Sequence, residues 1–175
     1  RPAAVIKELI DNSVDAGSST IKVDVTDGGR GRITVTDDGD GMSSVDAPLA
    51  FQRHATSKLQ TEGDLAAIAT LGFRGEALPS IASVSKVRVL TASRTESFGT
   101  ELFLAGGVLI RQEEAAAVPG TQVEVADLFF NTPAGKKFLN TTPTEFSHIC
   151  QIVQQAALAW PNIHFRLRHN GQAVF

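Results

Sequence analysis

The sequence has few of the features that would place a chain outside the class of ordinary globular domains. Its single cysteine, Cys150, excludes an intrachain disulfide framework and a cysteine-rich zinc site, and fits a reducing compartment. Uncharged stretches such as 115–123 contain Pro119 and Gly120 and fall far short of the roughly 20 apolar residues that cross a bilayer. What remains, 175 residues with 42% hydrophobic and 20% charged side chains, predicts one compact globular domain.

An excess of positive charge is also missing. The net charge of −3 and the pI of about 5.8 provide no global electrostatic argument for nucleic-acid binding, which depends on clustered lysine and arginine. A local basic bias exists only towards the C-terminus, at Lys136, Lys137, Arg166 and Arg168. A contact with DNA there is one interpretation, and an ordinary solvated surface is the other.

Several common site motifs are absent as well. The chain has no G-x-x-x-x-G-K-[ST] P-loop, no G-x-G-x-x-G after its first predicted strand, and no nucleophile near His54 that would suggest a catalytic triad. It begins with Arg1 and Pro2, without an initiator methionine or a signal-like segment, so we expect it to be part of a longer protein.

Hydrophobic spacing predicts an α+β fold with a sheet covered by helices on one face. Apolar residues at three- and four-residue intervals predict a helix over 2–16, which Gly17 would end. Alternation predicts strands at 21–25 and 33–37 around a glycine-rich turn, followed by a loop over 37–42. Further predicted elements are helices at 45–52, 65–71, 75–84 and 146–157, and strands near 87–89, 102–104, 109, 123–125 and 165–174. Together they indicate a two-layer sandwich.

The first predicted helix carries an unusual polar set. Glu8, Asn12 and Asp15 are spaced i, i+4 and i+7 and therefore lie on one side of the helix. A solvated face is the simpler interpretation, but asparagine prefers helix ends and turns to a helix centre. An amide oxygen for a hard divalent cation beside a carboxylate that orients water is a set suited to phosphate chemistry.

A second unusual group lies at the end of the second strand. Asp37 alternates onto the same face as Ile33 and Val35, so we expect it to be partly buried and to need a hydrogen-bond donor. The exocyclic amino group of a ligand or a backbone N–H would serve, and a simple turn-starting aspartate is the alternative. Gly39 and Gly41 in the following loop allow a close backbone approach to a ligand.

A third cluster consists of glycine and basic residues around the middle of the chain. Gly72, Arg74 and Gly75 precede a predicted helix, where free backbone N–H groups are able to hold phosphate. A polar run at 53–58 adds further donors, although it is also compatible with an ordinary surface, and His54 is best interpreted as structural.

Taken together, these segments resemble the ATPase module of MutL-type DNA mismatch-repair proteins, in the superfamily of gyrase B, heat-shock-ninety chaperones and histidine kinases. The segments that carry the resemblance are KELIDNSVDAG at 7–17, DDGDGM at 37–42, RHATSK at 53–58, GFRGEAL at 72–78 and VADLFFNTPAGKKFL at 125–139. The acidic-Asn helix and the glycine loops are common to the superfamily, whereas RHATSK, GFRGEAL and DLFxNTPA are specific to the MutL type. Another ATPase or kinase of the same superfamily, such as a topoisomerase subunit or chaperone, would leave RHATSK and DLFxNTPA unexplained.

The resemblance implies an ATP-binding sandwich of the Bergerat type with a mixed sheet, and it implies roles for individual residues. Glu8 would be the general base, and Asn12 the Mg²⁺ ligand that ties the cation to the phosphates. Asp37 would accept from the adenine amino group, Gly41 would admit the base, and Thr121 would assist through water. The residues implied to surround the phosphates are Thr56, Ser57, Lys58, Gly72, Arg74 and Gly75.

Two departures from the family pattern stand out. Asp38 replaces the usual Asn, which is expected to add charge beside the adenine site, and Gly135 replaces the usual Arg, which is expected to weaken local packing or an interdomain contact. The resemblance further implies one ATP-binding domain over 1–175, without the N-terminal helix and the following transducer domain of the family. Such a fragment is expected to hydrolyse ATP poorly. A nucleotide-free interaction module is the non-enzymatic alternative.

The partners implied by the resemblance are an ATP-dependent homodimer or heterodimer formed through N-terminal regions, a mismatch-recognition protein of the MutS type, and DNA bound weakly and largely without sequence specificity. No membrane partner is implied. The expected location is the cytoplasm in a bacterium and the nucleus in a eukaryote.

Overall fold

A computed structural model describes residues 1–53 and 74–175. Its helices are α1 (Pro2–Asp15), α2 (Asp46–Leu49), α3 (Arg74–Ser83), α4 (Pro133–Lys137) and α5 (Thr142–Ala159), with a short 3₁₀ turn at Asp27–Gly29. Its strands are β1 (Thr20–Thr26), β2 (Arg32–Asp37), β3 (Lys86–Ala92), β4 (Gly99–Ala105), β5 (Val108–Ala115), β6 (Gly120–Ala126), β7 (His164–His169) and β8 (Gln172–Ala173). The strands predicted from hydrophobic alternation are all confirmed, and the helix predicted at 65–71 lies outside the described residues.

The strands of the described residues form one mixed sheet in the order β5-β4-β3-β6-β2-β1-β7-β8. The pair β1–β7 is parallel and the other pairs are antiparallel. Asp37 at the end of β2 pairs with Thr121 at the start of β6, and Ala92 at the end of β3 pairs with Gly120. This register brings the ends of β2 and β3, the start of β6 and the loop after β2 together at one end of the central strands.

The core lies between one face of the sheet and the helices. Alternate residues of β1 and β2, including Ile21, Val23 and Ile33, are buried against apolar residues of α1 and α5, such as Ile6 and Ile149. The opposite face carries charged residues that pair across strands, for example Arg32 with Glu124 and Arg88 with Glu101. The predicted two-layer α+β sandwich is therefore confirmed.

Helix α1 begins and ends close to the predicted positions. Pro2 occupies the first turn, where its missing N–H is no loss, and Gly17 follows the helix at a φ of +74°. The backbone N–H of Gly17 donates to the carbonyl of Val14, which ends the helix before β1. The buried residues Val5, Ile6, Leu9 and Ile10 define the side of α1 that packs on the core.

One predicted helix is shorter in the structure, and one short helix was not predicted. The helix expected over 45–52 is limited to Asp46–Leu49, because the chain tightens into i→i+3 turns in which Phe51 N–H donates to the Pro48 carbonyl. Helix α4 was not predicted, since five residues are too short to show helical periodicity, although Pro133 at its first position is a typical start signal. Of the helices in the described ranges, none has the length and apolar character required to span a membrane.

Candidate functional site

A cavity of about 250 Å³ opens between α1 and the central strands of the sheet, where β2 ends and β6 begins. Four of the residues singled out in the sequence line it, namely Asn12, Asp37, Gly41 and Thr121. The structure thus brings together positions that are more than one hundred residues apart in the chain. The remaining lining residues are Leu9, Ser13, Ala16, Val35, Met42, Leu78 and Val123.

Asp37 is half-buried in this cavity, as its strand pattern predicts. Its Oδ2 accepts from the Ser13 hydroxyl at 2.6 Å, and its Oδ1 accepts from the Gly39 backbone N–H at 3.0 Å. Burial raises the pKa of the Asp37 carboxyl, and these hydrogen bonds only partly oppose the rise. Because each carboxylate oxygen has more than one acceptor position, Asp37 can still accept a donor from a molecule in the cavity.

Gly41 permits the loop after β2 to lie directly against two strand ends. Its φ is +69°, and a Cβ at this position would stand 1.9 Å from the carbonyl oxygen of Ala92. Gly120 is equally restricted, since a Cβ there would stand 2.2 Å from the carbonyl oxygen of Asp37. Backbone alone therefore fits at both positions, and this lets the loop after β2 lie against the strand ends beside the cavity.

The buried hydroxyl of Thr91 joins the loop to the strands. It accepts from the Met42 backbone N–H at 2.9 Å and donates to the Gly120 carbonyl at 3.0 Å. It also lies 2.8 Å from the Thr121 hydroxyl. With the Thr91 proton directed to Gly120, Thr121 donates to Thr91 and keeps its own lone pairs for a water or a ligand.

The chemistry of the cavity is apolar on its walls and polar at one end. Leu9, Val35, Met42, Leu78 and Val123 provide the apolar surface, whereas the polar groups gather around Asp37 and Thr121. An apolar enclosure with a few convergent polar groups is typical of small-molecule sites. This one is suited to a flat heteroaromatic ring that presents an amino group to a carboxylate.

The polar side of α1 leads out of this cavity. Asn12 lines it, and Glu8 is half-buried one turn earlier on the same side. Within the described parts of the chain, neither the Glu8 carboxylate nor the Asn12 amide has a hydrogen-bond or ion-pair partner. Asp15, the third residue of the predicted set, is exposed and does not line the cavity.

The residues predicted near the phosphates are only partly described. Thr56, Ser57, Lys58 and Gly72 lie outside the described residues, as does His54. Arg74 and Gly75 form the beginning of α3, one residue earlier than the predicted helix start. The same helix continues to Leu78, which contributes to the cavity wall.

Asp38 is not among the residues that line the cavity, and its carboxylate lies at the start of β1. Its carboxylate accepts from the backbone N–H groups of Ser19 and Thr20, at 2.8 and 2.9 Å, and from the Ser19 hydroxyl. These bonds hold the pKa of Asp38 below its usual range. Neighbouring residues of an extended chain point to opposite sides, so Asp38 points away from the side that Asp37 faces. Its carboxylate stabilises the start of β1 through these hydrogen bonds.

Two contributors to the site were missed in the sequence. Ser13 is buried within α1 and donates to Asp37, and Thr91 is buried at the end of β3. A serine one residue after Asn12 on the apolar side of a helix is a weak signal that a buried acceptor lies opposite. Thr91 has no comparable signal, since threonine is common in strands.

Comparison with known proteins agrees with this geometry. Residues 1–128 match the family described as histidine kinase-, DNA gyrase B-, and HSP90-like ATPase, and the chain belongs to this family. It is 56% identical over 174 residues to the DNA mismatch repair protein MutL of Koribacter versatilis and 51% identical over 174 residues to that of Geobacillus thermodenitrificans. Both alignments cover 99% of the chain but only 27% of the relative, so the chain spans about a quarter of their length.

A solved structure gives the same assignment. The Aquifex aeolicus MutL ATPase domain complexed with ADP superposes with a TM-score of 0.79 at 29% identity, covering 100% of this chain and 62% of that one. Within its family the chain is accordingly similar to the ATPase domains of MutL proteins. The MutL resemblance read from the sequence motifs is confirmed.

Proposed function

We propose that the cavity holds the adenine of ATP. In this arrangement Asp37 accepts from the exocyclic amino group of the base, and Thr121 supports the ring through a water molecule. Gly41 admits the ring edge because its backbone carries no side chain. The observation that carries the proposal is a half-buried carboxylate, with acceptor capacity left, at the polar end of an apolar cavity.

The phosphates of the bound ATP would extend from this cavity along the polar side of α1. Asn12 is the residue that would hold Mg²⁺, a cation that prefers oxygen ligands, and its amide has no other partner among the described residues. No cluster of three or more acidic, histidine or cysteine residues suited to a metal exists in the described part of the chain. The ATP phosphates and water would therefore complete the coordination, and the cation would offset the charge of the phosphates.

Glu8 would act as the general base. Its carboxylate would take a proton from a water molecule as the water oxygen bonds to the terminal phosphorus and the bond from that phosphorus to the bridging oxygen of ADP breaks. The products are ADP and inorganic phosphate. Thr56, Ser57, Lys58, Gly72, Arg74 and Gly75 are proposed to surround the phosphates, so that catalysis consists of positioning and charge stabilisation.

We further propose that the chain is one domain of a longer protein that uses ATP as a switch. The share of the MutL relatives that it covers supports this view. Nucleotide binding would order the phosphate-contacting segments and promote a homodimer or heterodimer, which would act with a mismatch-recognition protein of the MutS type. Because the relatives named above are bacterial, the proposed location is the cytoplasm.

DNA is the remaining proposed partner. Lys136 and Lys137 are exposed on α4, and Arg166 and Arg168 are exposed on β7. Reversing these charges in the longer protein should lower DNA affinity and reduce its dependence on salt, since each phosphate contact releases counterions. Equal salt slopes in the parent and the variant would remove DNA contact from these residues.

ATP turnover by Glu8 variants tests the catalytic proposal. A protein extended on both sides of this chain should hydrolyse ATP slowly, and Glu8→Ala should abolish hydrolysis while retaining ADP binding measured by calorimetry. Lys7→Ala is the matched control, because Lys7 is exposed, pairs with Asp11 on the surface and should leave turnover unchanged. Equal hydrolysis in the Glu8→Ala variant and the parent would refute Glu8 as the base.

A further inference from the structure

The loop after β2, residues 38–44, is bonded to other elements at both of its ends. Asp38 and Ser44, at those ends, are exposed. The backbone of an exposed loop can be satisfied by water, so several hydrogen bonds from other elements indicate that one conformation of the loop is required. The loop lines the proposed adenine cavity at Gly41 and Met42.

Arg94 holds the first end of this loop from the turn between β3 and β4, residues 93–98. Its Nη2 donates to the Asp38 carbonyl at 3.0 Å, and its Nε lies 3.9 Å from the Asp40 carboxylate. The side chains of Arg94 and Asp40 are 60% and 79% exposed, so their ion pair contributes little. The contact that fixes the loop is the hydrogen bond from the charged guanidinium to the Asp38 backbone.

Glu96, two residues further along the same turn, holds the other end of the loop. Its Oε1 accepts from the Ser44 backbone N–H at 3.0 Å, and its Oε2 accepts from the Ser44 hydroxyl at 3.3 Å. The side-chain amide of Gln112, on β5, donates to the Ser44 carbonyl at 3.1 Å. Both backbone polar groups of Ser44 and its hydroxyl are therefore bonded to side chains from elsewhere in the sheet.

The segment that carries Arg94 and Glu96 also contacts the middle of the loop. Thr91 accepts from the Met42 backbone N–H, and the Ala92 carbonyl lies where a Cβ on Gly41 would be. Hydrogen bonds within the turn restrict its own conformation, since the Ser93 hydroxyl oxygen accepts from the Thr95 backbone N–H at 3.1 Å. One continuous segment, residues 91–96, thus contacts the loop at its beginning, its middle and its end.

We propose that Arg94 and Glu96 are positioning residues for the adenine site. They hold the two ends of the loop so that Gly41 stays against the strand ends and the cavity is formed before a nucleotide enters. Neither residue is among the described residues that line the cavity, so both act through the loop. The effect on nucleotide affinity rests on the proposed function, whereas the effect on the loop does not.

Nucleotide affinity and turnover in the longer protein test the proposal. A protein whose competent conformation is only partly populated binds its ligand more weakly by that fraction. The double variant Arg94→Ala, Glu96→Ala should therefore raise the Kd for ADP and the KM for ATP at least about fivefold. Its kcat at saturating ATP should stay within about twofold, because bound nucleotide restores the loop and the proposed base lies on α1.

The matched control is the double variant Arg32→Ala, Glu113→Ala. It removes the same two residue types from exposed ion pairs elsewhere on the sheet, Arg32 with Glu124 and Glu113 with Arg111. Because none of these four side chains bonds to the loop, the Kd for ADP and the KM for ATP should remain at the parent values.

Conservative variants separate the contacts from a general loss of stability. Glu96→Gln keeps an acceptor oxygen for the Ser44 N–H, and Arg94→Lys keeps a charged donor for the Asp38 carbonyl. Each should show a smaller rise in the Kd for ADP than the alanine variant at the same position. Ser44→Ala removes the hydroxyl that Glu96 binds, so it should weaken ADP binding less in a Glu96→Ala background than in the parent.

Amide hydrogen exchange reports on the loop without nucleotide. The Ser44 amide should exchange at least about fivefold faster in Glu96→Ala, because it loses its acceptor. The same amide should be unaffected in Glu113→Ala. Calorimetry measures the Kd for ADP in the same variants.

An unchanged Kd for ADP in the Arg94→Ala, Glu96→Ala variant would overturn the proposal. So would a fall in kcat as large as the rise in KM, or an equal rise in Kd in the control variant. A parent protein that does not bind ADP would refute the proposed adenine site instead, and the exchange of the Ser44 amide would still decide whether Glu96 holds the loop.

Discussion

The neighbouring carboxylates of Asp37 and Asp38 face opposite sides of the chain and have opposite shifts in pKa. Burial beside Ser13 raises the pKa of Asp37, whereas hydrogen bonds from Ser19 and Thr20 lower that of Asp38. One aspartate is therefore kept at an unfavourable position facing a cavity, and the other stabilises the start of β1. Their asparagine variants should differ accordingly.

Asp37→Asn should separate stability from binding. Because the pKa of Asp37 is raised on folding, its ionisation reduces stability as the pH rises from about 3.8 through the folded-state value. The variant removes that penalty, so its free energy of unfolding at pH 7 should equal or exceed that of the parent. ADP affinity should fall at least about tenfold, because the amide presents one acceptor and a competing donor. Denaturant unfolding and calorimetry measure the two effects, and unchanged ADP affinity would remove Asp37 from the adenine site.

Asp38→Asn should show the reverse pattern. The lowered pKa means that the Asp38 carboxylate contributes stability above about pH 3.8, and that this contribution is lost as the pH falls through the folded-state value. The variant should therefore be less stable than the parent at pH 7 and approach it at low pH. ADP affinity should remain within about twofold, as the side chain faces β1. A large loss of ADP affinity would place its charge at the cavity after all.

Gly41→Ala should disturb the loop after β2, which lines the cavity at Gly41. Both a positive φ and overlap with the Ala92 carbonyl oppose the added Cβ, and the combined cost should be about 2 kcal/mol or more. Gly171→Ala is the matched control, because Gly171 has a φ of +80° but nothing within 4 Å of the added atom. Its cost should be limited to about 1 kcal/mol of backbone strain. Equal unfolding free energies for the two variants would show that the loop gives way easily.

Thr91→Val should weaken the loop after β2, because it removes the hydroxyl that accepts from the Met42 backbone N–H. Valine fills the space of threonine but leaves the Met42 N–H without its acceptor, at a cost of about 1–3 kcal/mol. Thr100→Val is a suitable control, since Thr100 pairs with Thr91 across the sheet, is buried, and makes no side-chain hydrogen bond within the described residues. Thermal unfolding and ADP binding should both change in the first variant only. A normal ADP affinity in Thr91→Val would show that the loop conformation does not depend on this hydroxyl.

The contact between Gly135 and the Phe129 ring can be tested by adding a methyl group at Gly135. A Cβ on Gly135 would stand 2.8 Å from the Phe129 ring, so Gly135→Ala combines overlap with the better helix propensity of alanine, about 1 kcal/mol. In the parent background overlap should dominate and the variant should be slightly less stable. In a Phe129→Leu background, where the space is open, the same substitution should be stabilising. Equal effects in both backgrounds would show that the ring moves aside freely.

Two residues of the cavity stood out in the sequence because they break local patterns. Asn12 at a helix centre and Asp37 on an inward strand position are unfavourable unless something uses them, and the structure places both on one cavity. Thr91 could not be found in the same way. Threonine is ordinary in a strand, so only its burial and the contacts around it reveal its importance.

Boundaries were less predictable than elements. The ends of α1 follow local rules for proline and glycine, and they were predicted to within one residue. The shorter α2 and the additional α4 depend on how a few residues fit between longer elements, which periodicity does not report. The strand order likewise depends on contacts between distant segments, so the parallel pairing of β1 with β7 was not visible in the sequence.

The parallel pairing of β1 with β7 also bears on the order in which the strands of the sheet are synthesised. β1 and β2, which follow helix α1, are flanked in the sheet by β6 and β7, both from the last third of the chain. A ribosome-bound chain that has exposed only the first half of the domain thus lacks both flanking strands. Both neighbours of this central pair are therefore present only once residue 169 has been synthesised.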